Sequence, residues 1–495
     1  MGSPHHRIAI AGCGFGGLGM AVRLKRDGVE DFAILEKADD LGGTWRDNSY
    51  PGCACDVPSM LYSWSFAPKP DWSQLFAPAA EIWEYQREVA DRFGLPAHIR
   101  YDHEVLAAEW DGESRRWAIE TRSGELTADV LISAVGALHE PAIPELQGLD
   151  SFGGRSFHSS SWDHDYELAG RSVAVIGTGA SAIQFVPEIQ PQVGKLHLFQ
   201  RTPPWVFPRR NLPVPGSWQA MFRRLPVTQK LVRRALYSLA EVGGVAFRHP
   251  QLMTLGEQLA RRHIAAEISD PDLRRRLTPD YRLGCKRILA SDNYYRSLDS
   301  DNVDVVTSGL REVRPEGIVD GDGVLREVDA IIFGTGFRVT DPPISHRVRG
   351  RDGRTLAEHW QGSPQAYLGT AVAGFPNLFI LLGPGTGLGH NSIIYMLESQ
   401  ARYVSEALRF LRKRGAATVE PRSAAQRAWV DEVDRHMQGT VWVAGGCKSW
   451  YLDETGRNST LWPKPTWQFR RRLERFVESE NLIGAPLRAP ALVPA

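Results

Sequence analysis

Apolar residues along this 495-residue chain fall into two registers. Short, nearly continuous apolar runs at 8–11, 32–35, 130–136, 172–176, 195–200, 303–306, 329–333 and 378–382 have the length of buried parallel strands and are too short for helices. Between them, apolar positions recur every three or four residues at 18–26, 79–93 and 396–414, which predicts amphipathic helices. Gly415 closes the last of these, and Ser423 starts another. The stretches 104–110 and 117–121, on either side of Asp111-Gly112, predict a hairpin. Strands alternating with helices predict an α/β fold class. Two runs, 8–11 and 172–176, are each succeeded at once by a glycine-rich loop and a helix-compatible stretch. That is the layout of a Rossmann-like dinucleotide-binding unit, and it occurs twice.

The two loops differ in their own residues and in the charge placed beyond them. Gly12-Cys13-Gly14-Phe15-Gly16-Gly17 has Gly12 for the tight turn, Gly14 for close approach of a phosphate and Gly17 for helix–strand contact. Its second strand ends in Glu36, where a carboxylate accepts hydrogen bonds from an adenosine ribose and repels a 2′-phosphate. The second loop is Gly177-Thr178-Gly179-Ala180-Ser181-Ala182, in which Ser181 can cap the following helix or bond a phosphate. Where the first unit places Glu36, the second places Arg201-Thr202. The sign is reversed: a guanidinium can pair bidentately with a 2′-phosphate, so the second unit favours NADPH over NADH.

Composition narrows the class. Lys plus Arg equals Asp plus Glu at 58 each, so no overall field attracts nucleic acid, and no nucleic-acid partner is expected. Five cysteines (Cys13, Cys53, Cys55, Cys285, Cys447) lack metal or redox spacing and suit a reducing compartment without a disulfide framework. His5, His6 and Arg7 before an apolar run imitate a secretory signal, but glycines at dinucleotide-loop spacing argue against one. No run reaches the roughly twenty apolar residues of a membrane span, so a cytoplasmic protein is expected. Proline and glycine between 141 and 154 mark a domain boundary, and residues 203–250 interrupt the second unit with proline, arginine and aromatics. A basic amphipathic segment on a membrane surface and a helical cover over the active site with a solvated outer face both fit this interruption; the second is the preferred reading.

Two longer patterns carry a resemblance. Residues 152–163 read F-x-G-x-x-x-H-x-x-x-W-D, with Phe152, Gly154, His158, Trp162 and Asp163, and residues 42–56 read G-G-x-W-x-x-x-x-Y-P-G-x-x-x-D, from Gly42 to Asp56. In this order they resemble the fingerprints of the flavin-dependent type I Baeyer-Villiger monooxygenases, in the group of the 4-hydroxyacetophenone and cyclohexanone monooxygenases. Lys286-Arg287 ahead of Tyr294-Tyr295 is similar to the same family, and Gly334-Thr335-Gly336 stands where the family more often has Ala-Thr-Gly. The resemblance implies FAD on the first unit, with Gly43, Thr44, Trp45, Asp56 and Tyr62 beside it, and NADPH on the second, with Lys286 and Trp450 added to Gly177, Gly179, Ser181, Arg201 and Thr202. Core packing is the competing reading of Trp450. It also implies an FAD domain beginning at 1–140, a fingerprint linker at 141–165, an NADPH domain at 166–333 with a helical insertion near 210–280, and a return to the FAD domain at 334–495.

What the family would do with these residues is insert one oxygen atom from O2 beside the carbonyl of a small-molecule ketone, through a flavin C4a-peroxide, giving an ester or lactone. Arg287 is the candidate cation beside that anion, because arginine stays protonated and does not quench a nucleophile by giving up a proton. By family match Asp56 orients it. His158, whose ordinary pKa invites a general-base role, is assigned instead with Phe152, Gly154 and Trp162 to coupling between the two domains. The alternative reading is a flavin monooxygenase acting on nitrogen or sulfur. A disulfide reductase is disfavoured, since no C-x-x-x-x-C comes after the first loop.

Overall fold

In the computed structural model, which describes residues 3–485, the apolar runs become the centres of two separate sheets. The first runs in the order Val348–Arg349, Val105–Asp111, Arg116–Thr121, Gly124–Ser133, His5–Ala11, Phe32–Leu35 and Ile99–Arg100, with Leu378–Ile380 also paired to Gly124–Ser133. The expected parallel run at 130–136 is longer and mixed: Gly124–Ser133 begins antiparallel to Arg116–Thr121 and ends parallel to His5–Ala11. Ile10, Leu18 and Ile34 are fully buried where the helix Phe15–Arg26 covers this sheet.

The second sheet is wholly parallel, in the order Val303–Val306, Lys195–Phe199, Ser172–Ile176, Ala330–Phe333, Arg155–His158. Its last strand corrects the reading of residues 141–165 as a linker alone. Arg155–His158 lies inside the fingerprint, with two exposed and two buried residues, and a run that short leaves no apolar pattern.

Both units are closed in the same way. Gly12 and Gly177 have φ of +100° and +106°, and a Cβ would stand 2.7 Å from the Ala134 carbonyl oxygen in one and 2.5 Å from that of Gly334 in the other. At those carbonyls the chain leaves one sheet for the other. The two crossings pair with each other: Pro141 faces Phe337 in an antiparallel bridge, the Ala142 N–H donates to Gly336 O at 2.9 Å, and the Arg338 N–H to Glu140 O at 2.9 Å.

The insertion is helical, as Gly216–Arg224, Pro226–Arg248, Met253–Glu267 and Pro271–Leu277. Its inner side packs Phe247 on Trp442 at 5.3 Å between ring centres, and Gly244 against the His390 ring. The solvated outer face expected for it carries an apolar stripe among exposed basic residues: Leu231, Leu239 and Val242 are 58, 69 and 68% exposed. Among the described residues no helix is long and apolar enough to cross a membrane.

One covalent link corrects the cysteine reading. Cys285 and Cys447, 162 positions apart, form a disulfide, while Cys13, Cys53 and Cys55 are free. The fold brings the pair together across a distance that spacing does not reveal. In the oxidised protein Cys447→Ser is expected to lose about 2–4 kcal/mol of stability. A thermal melt checks this: dithiothreitol should lower the midpoint of the parent protein to that of the variant and leave the variant unmoved.

Candidate active site

The first glycine loop borders a cavity. Gly12, Gly14, Glu36, Gly43, Thr44, Trp45 and Tyr62 line it, and Gly17 lies behind, where a Cβ would stand 2.0 Å from Gly12 O. The N-cap of the helix Phe15–Arg26 is Gly14, which has no side chain to cap it; the Gln86 amide takes the Phe15 N–H, and the N–H groups after it are open to an anion. The Gly14 and Gly43 backbones face each other so closely that a Cβ on Gly43 would be 3.3 Å from Gly14 Cα. Such a cradle fits a pyrophosphate and rejects a side chain. Glu36 is buried and already accepts from the Cys13 N–H at 2.8 Å, the Ala38 N–H at 3.2 Å and Arg46 Nη1 at 3.1 Å. Of a carboxylate's roughly four acceptor positions, about one remains for a ribose hydroxyl. Trp45 Nε1 donates to the Tyr62 hydroxyl at 3.2 Å, and Thr44 Oγ1 to Leu138 O at 3.5 Å, which fixes this wall.

The second loop repeats the design with the opposite charge. Gly177 and Gly179 both face Gly334 O. Ser181 does not cap the helix Ala182–Ile189, one of its two expected roles; its hydroxyl accepts from Ser159 Oγ at 3.3 Å. Arg201 is exposed, and Thr202 accepts from Thr178 Oγ1 through its carbonyl at 3.2 Å. Lys286 lies 5.1 Å from the centre of the Tyr281 ring, and burial followed by the charge of Arg201 holds it below the usual lysine range. Two cations that feel each other's charge here suit a phosphate, although the Asp280 carboxylate also acts on Lys286.

Arg287 and Asp56, 231 positions apart in sequence, meet as a bidentate pair: Nε donates to Oδ2 and Nη2 to Oδ1, each at 2.7 Å. The Asp56 carboxylate raises the arginine further above its ordinary pKa, so it stays cationic. About a third of the Arg287 side chain, 31%, is accessible. Beside it the Tyr451 hydroxyl is buried; burial, partly offset by Arg287, pushes its pKa up to about 12. Trp450 next to it is 43% exposed, which removes core packing as its role.

The fingerprint residues gather at the junction of the units. His158 is buried, with Nδ1 accepting from the Ser160 N–H at 3.1 Å, and burial lowers its pKa toward the neutral form. Its ring stands edge-on to Phe337, on the returning crossing, at 5.6 Å. Gly154 leaves room for the Phe152 ring, which a Cβ would meet at 2.6 Å, and Trp162 packs on Phe157 and Phe185 at 5.3 Å each.

Three contacts had no sequence signal. Gln184, on the helix of the second loop, exchanges two hydrogen bonds of 3.1 Å with Ala54 and accepts from the Tyr50 hydroxyl at 3.2 Å, which docks the 42–56 loop on the other unit. Arg209 donates to Cys55 O at 2.6 Å, beside Asp56. The disulfide Cys285–Cys447 ties the segment of Lys286 and Arg287 to the loop of Trp450 and Tyr451.

A family model described as pyridine nucleotide-disulphide oxidoreductase matches residues 9–213, the span of both glycine loops. A Baeyer-Villiger monooxygenase of Streptomyces coelicolor is 55% identical over 493 residues, covering 99% of this chain and 95% of that one. Among solved structures, OTEMO in complex with FAD and NADP superposes with a TM-score of 0.87 at 26% identity, over 98% of this chain and 100% of that one. Cyclohexanone monooxygenase from a Rhodococcus species, bound to NADP+, gives 0.86 at 27% identity, over 98% and 100%. With paired nucleotide loops, a fixed arginine–carboxylate pair at their junction and identity this high over nearly its whole length, the chain belongs to the type I Baeyer-Villiger monooxygenases.

Proposed function

We propose that this chain is an NADPH- and O2-dependent flavoprotein monooxygenase that inserts one oxygen atom beside a ketone carbonyl. Ketone, O2, NADPH and a proton give ester or lactone, NADP+ and water. FAD, when bound and reduced by NADPH, supplies O2 activation and oxygen transfer. The chain supplies the rest. Gly12, Gly14 and Gly43 hold the flavin nucleotide's pyrophosphate, Glu36 takes a ribose hydroxyl, and Trp45 and Tyr62 wall the flavin. Gly177, Gly179 and Ser181 hold the second nucleotide, Arg201 and Lys286 read its 2′-phosphate, and Trp450 approaches it from the C-terminal loop.

Arg287 has the central role, and its bidentate hold by Asp56 is the observation that carries the reading. A guanidinium locked in one orientation offers a cation where negative charge develops, with no reorganisation at the moment of reaction. Because it stays protonated, it stabilises that charge without quenching a nucleophilic oxygen. His158 is buried and seated on the crossing against Phe337, which supports coupling between the units in preference to proton transfer. The direct test is NADPH oxidation by the FAD-loaded protein against a panel of ketones, with mass spectrometry of the product. A gain of one oxygen atom is expected; NADPH consumed only to hydrogen peroxide with every ketone would refute the reading.

Nucleotide choice gives a second test. Arg201→Ala is expected to lower kcat/KM for NADPH about 10- to 100-fold, the loss of one charged hydrogen-bonding partner, and to leave NADH almost unchanged. An unaltered NADPH-to-NADH ratio would assign the 2′-phosphate elsewhere.

A further inference from the structure

The helical insertion carries a surface that oxygen transfer does not use. Eleven of the 21 exposed large hydrophobic side chains among the described residues lie between Trp218 and Leu259. Along the helix Pro226–Arg248, Val227, Leu231, Leu239 and Val242 follow one stripe at multiples of three and four residues, each at least 58% exposed. Leu255 and Leu259, 67 and 50% exposed, repeat the spacing on Met253–Glu267. An apolar surface of this extent marks a contact face, since the outside of a free-standing helix pair would be polar.

Charge on the same helices is one-sided. Every exposed charged side chain within residues 216–267 is basic: Arg223, Arg224, Lys230, Arg234, Arg261 and Arg262. The three acids of this stretch turn inward, Glu241 to Asn391 and Thr466, Glu257 to Arg282, Glu267 to Arg296. Among the described residues, only Arg223 of the six cations has an acidic partner, Asp71 at 3.0 Å. Lys230 and Arg234 flank the apolar stripe within one turn of Leu231.

We propose that this face docks on the surface of an anionic phospholipid bilayer. Leucine and valine side chains on the stripe enter the boundary between headgroups and acyl chains, and the flanking cations meet lipid phosphates. A second copy of the chain fits less well, because a two-fold contact would set this all-positive surface against itself. Crossing the bilayer is not implied, as no described helix meets its length and apolarity. The docked helix is continuous with the catalytic region: a Cβ on Gly284, three residues before Arg287, would stand 3.1 Å from the Phe247 ring near the inner end of Pro226–Arg248. An apolar ketone dissolved in the bilayer would therefore be concentrated beside the part of the fold that leads to Arg287.

Flotation of the FAD-loaded, full-length protein with vesicles tests the proposal. Binding to phosphatidylcholine vesicles containing phosphatidylglycerol is expected to exceed binding to phosphatidylcholine alone by at least about tenfold, and to fall as salt is raised. Leu239→Glu with Val242→Glu, on the exposed stripe, is expected to abolish flotation, and Lys230→Glu with Arg234→Glu to weaken it at least about tenfold. Both variants should keep the parent's FAD content and NADPH oxidation, so a folding failure would show itself. Absence of flotation with either vesicle overturns the proposal, as does flotation that the stripe variants do not change. A concentration-dependent dimer in analytical ultracentrifugation that Leu239→Glu dissociates, with no vesicle binding, would assign the face to a second copy instead.

Discussion

Arg287→Ala is expected to lower the rate of product formation about 10²–10³-fold, or about 3–4 kcal/mol of barrier, the cost of removing one preorganised partner of a developing oxyanion. The loss should be confined to oxygen transfer. Arg287 belongs to neither glycine loop, so FAD content is expected to match the parent and NADPH to reduce the flavin at a near-parent rate. Rapid-mixing absorbance separates the two steps: flavin bleaching by NADPH proceeds, while product in a quench from the same mixture is absent. Arg287→Lys should recover only part of the loss, because an ammonium keeps the charge but cannot form the two parallel 2.7 Å bonds to Asp56. Parent-level product from Arg287→Ala would remove this residue from the chemistry.

Gly177→Ala is expected to do the reverse. An alanine there must adopt a φ of +106° and place its Cβ 2.5 Å from Gly334 O, a backbone atom that cannot step aside. Backbone strain of about 1–3 kcal/mol, together with displacement of the loop, should raise KM for NADPH about 100-fold or more. FAD should remain bound, since Gly12 and its cavity belong to the other sheet. The pair of variants thus dissects the cycle: a yellow protein that NADPH cannot reduce in one, a reducible protein that makes no product in the other. Loss of FAD from Gly177→Ala, or normal reduction by NADPH, would contradict the assignment of the second loop.

Much of this arrangement is readable in the sequence where its cause is local. Gly12 and Gly177 stand where a chain must turn with positive φ directly after a strand, and only the next few residues decide that. Glu36 and Arg201 follow from strand length in the same way. Asp56 and Arg287 are different: 231 positions separate them, and no spacing rule joins them, so only the likeness to a known family points to both. Gln184 and the Cys285–Cys447 link belong to no motif and follow from how the two units dock, which is decided by packing far from either residue. The strand Arg155–His158 escapes because its two buried positions are too few for a period to register. The outer face of the insertion misleads for a related reason: leucines at helical spacing look the same whether they face a core or the outside, and both faces of Pro226–Arg248 are apolar.

The paired crossings also limit how the enzyme can move. Their two hydrogen bonds, Ala142 to Gly336 and Arg338 to Glu140, run across a narrow ribbon and lie side by side. Flexing such a ribbon across its width leaves both bonds intact, whereas sliding one nucleotide-binding half lengthwise past the other would break both at once. The pairing at the crossings therefore favours hinging over lengthwise sliding there, with Phe337 on the ribbon and His158 against its ring. Gly334, which braces the Gly177 loop, lies at the foot of the same ribbon.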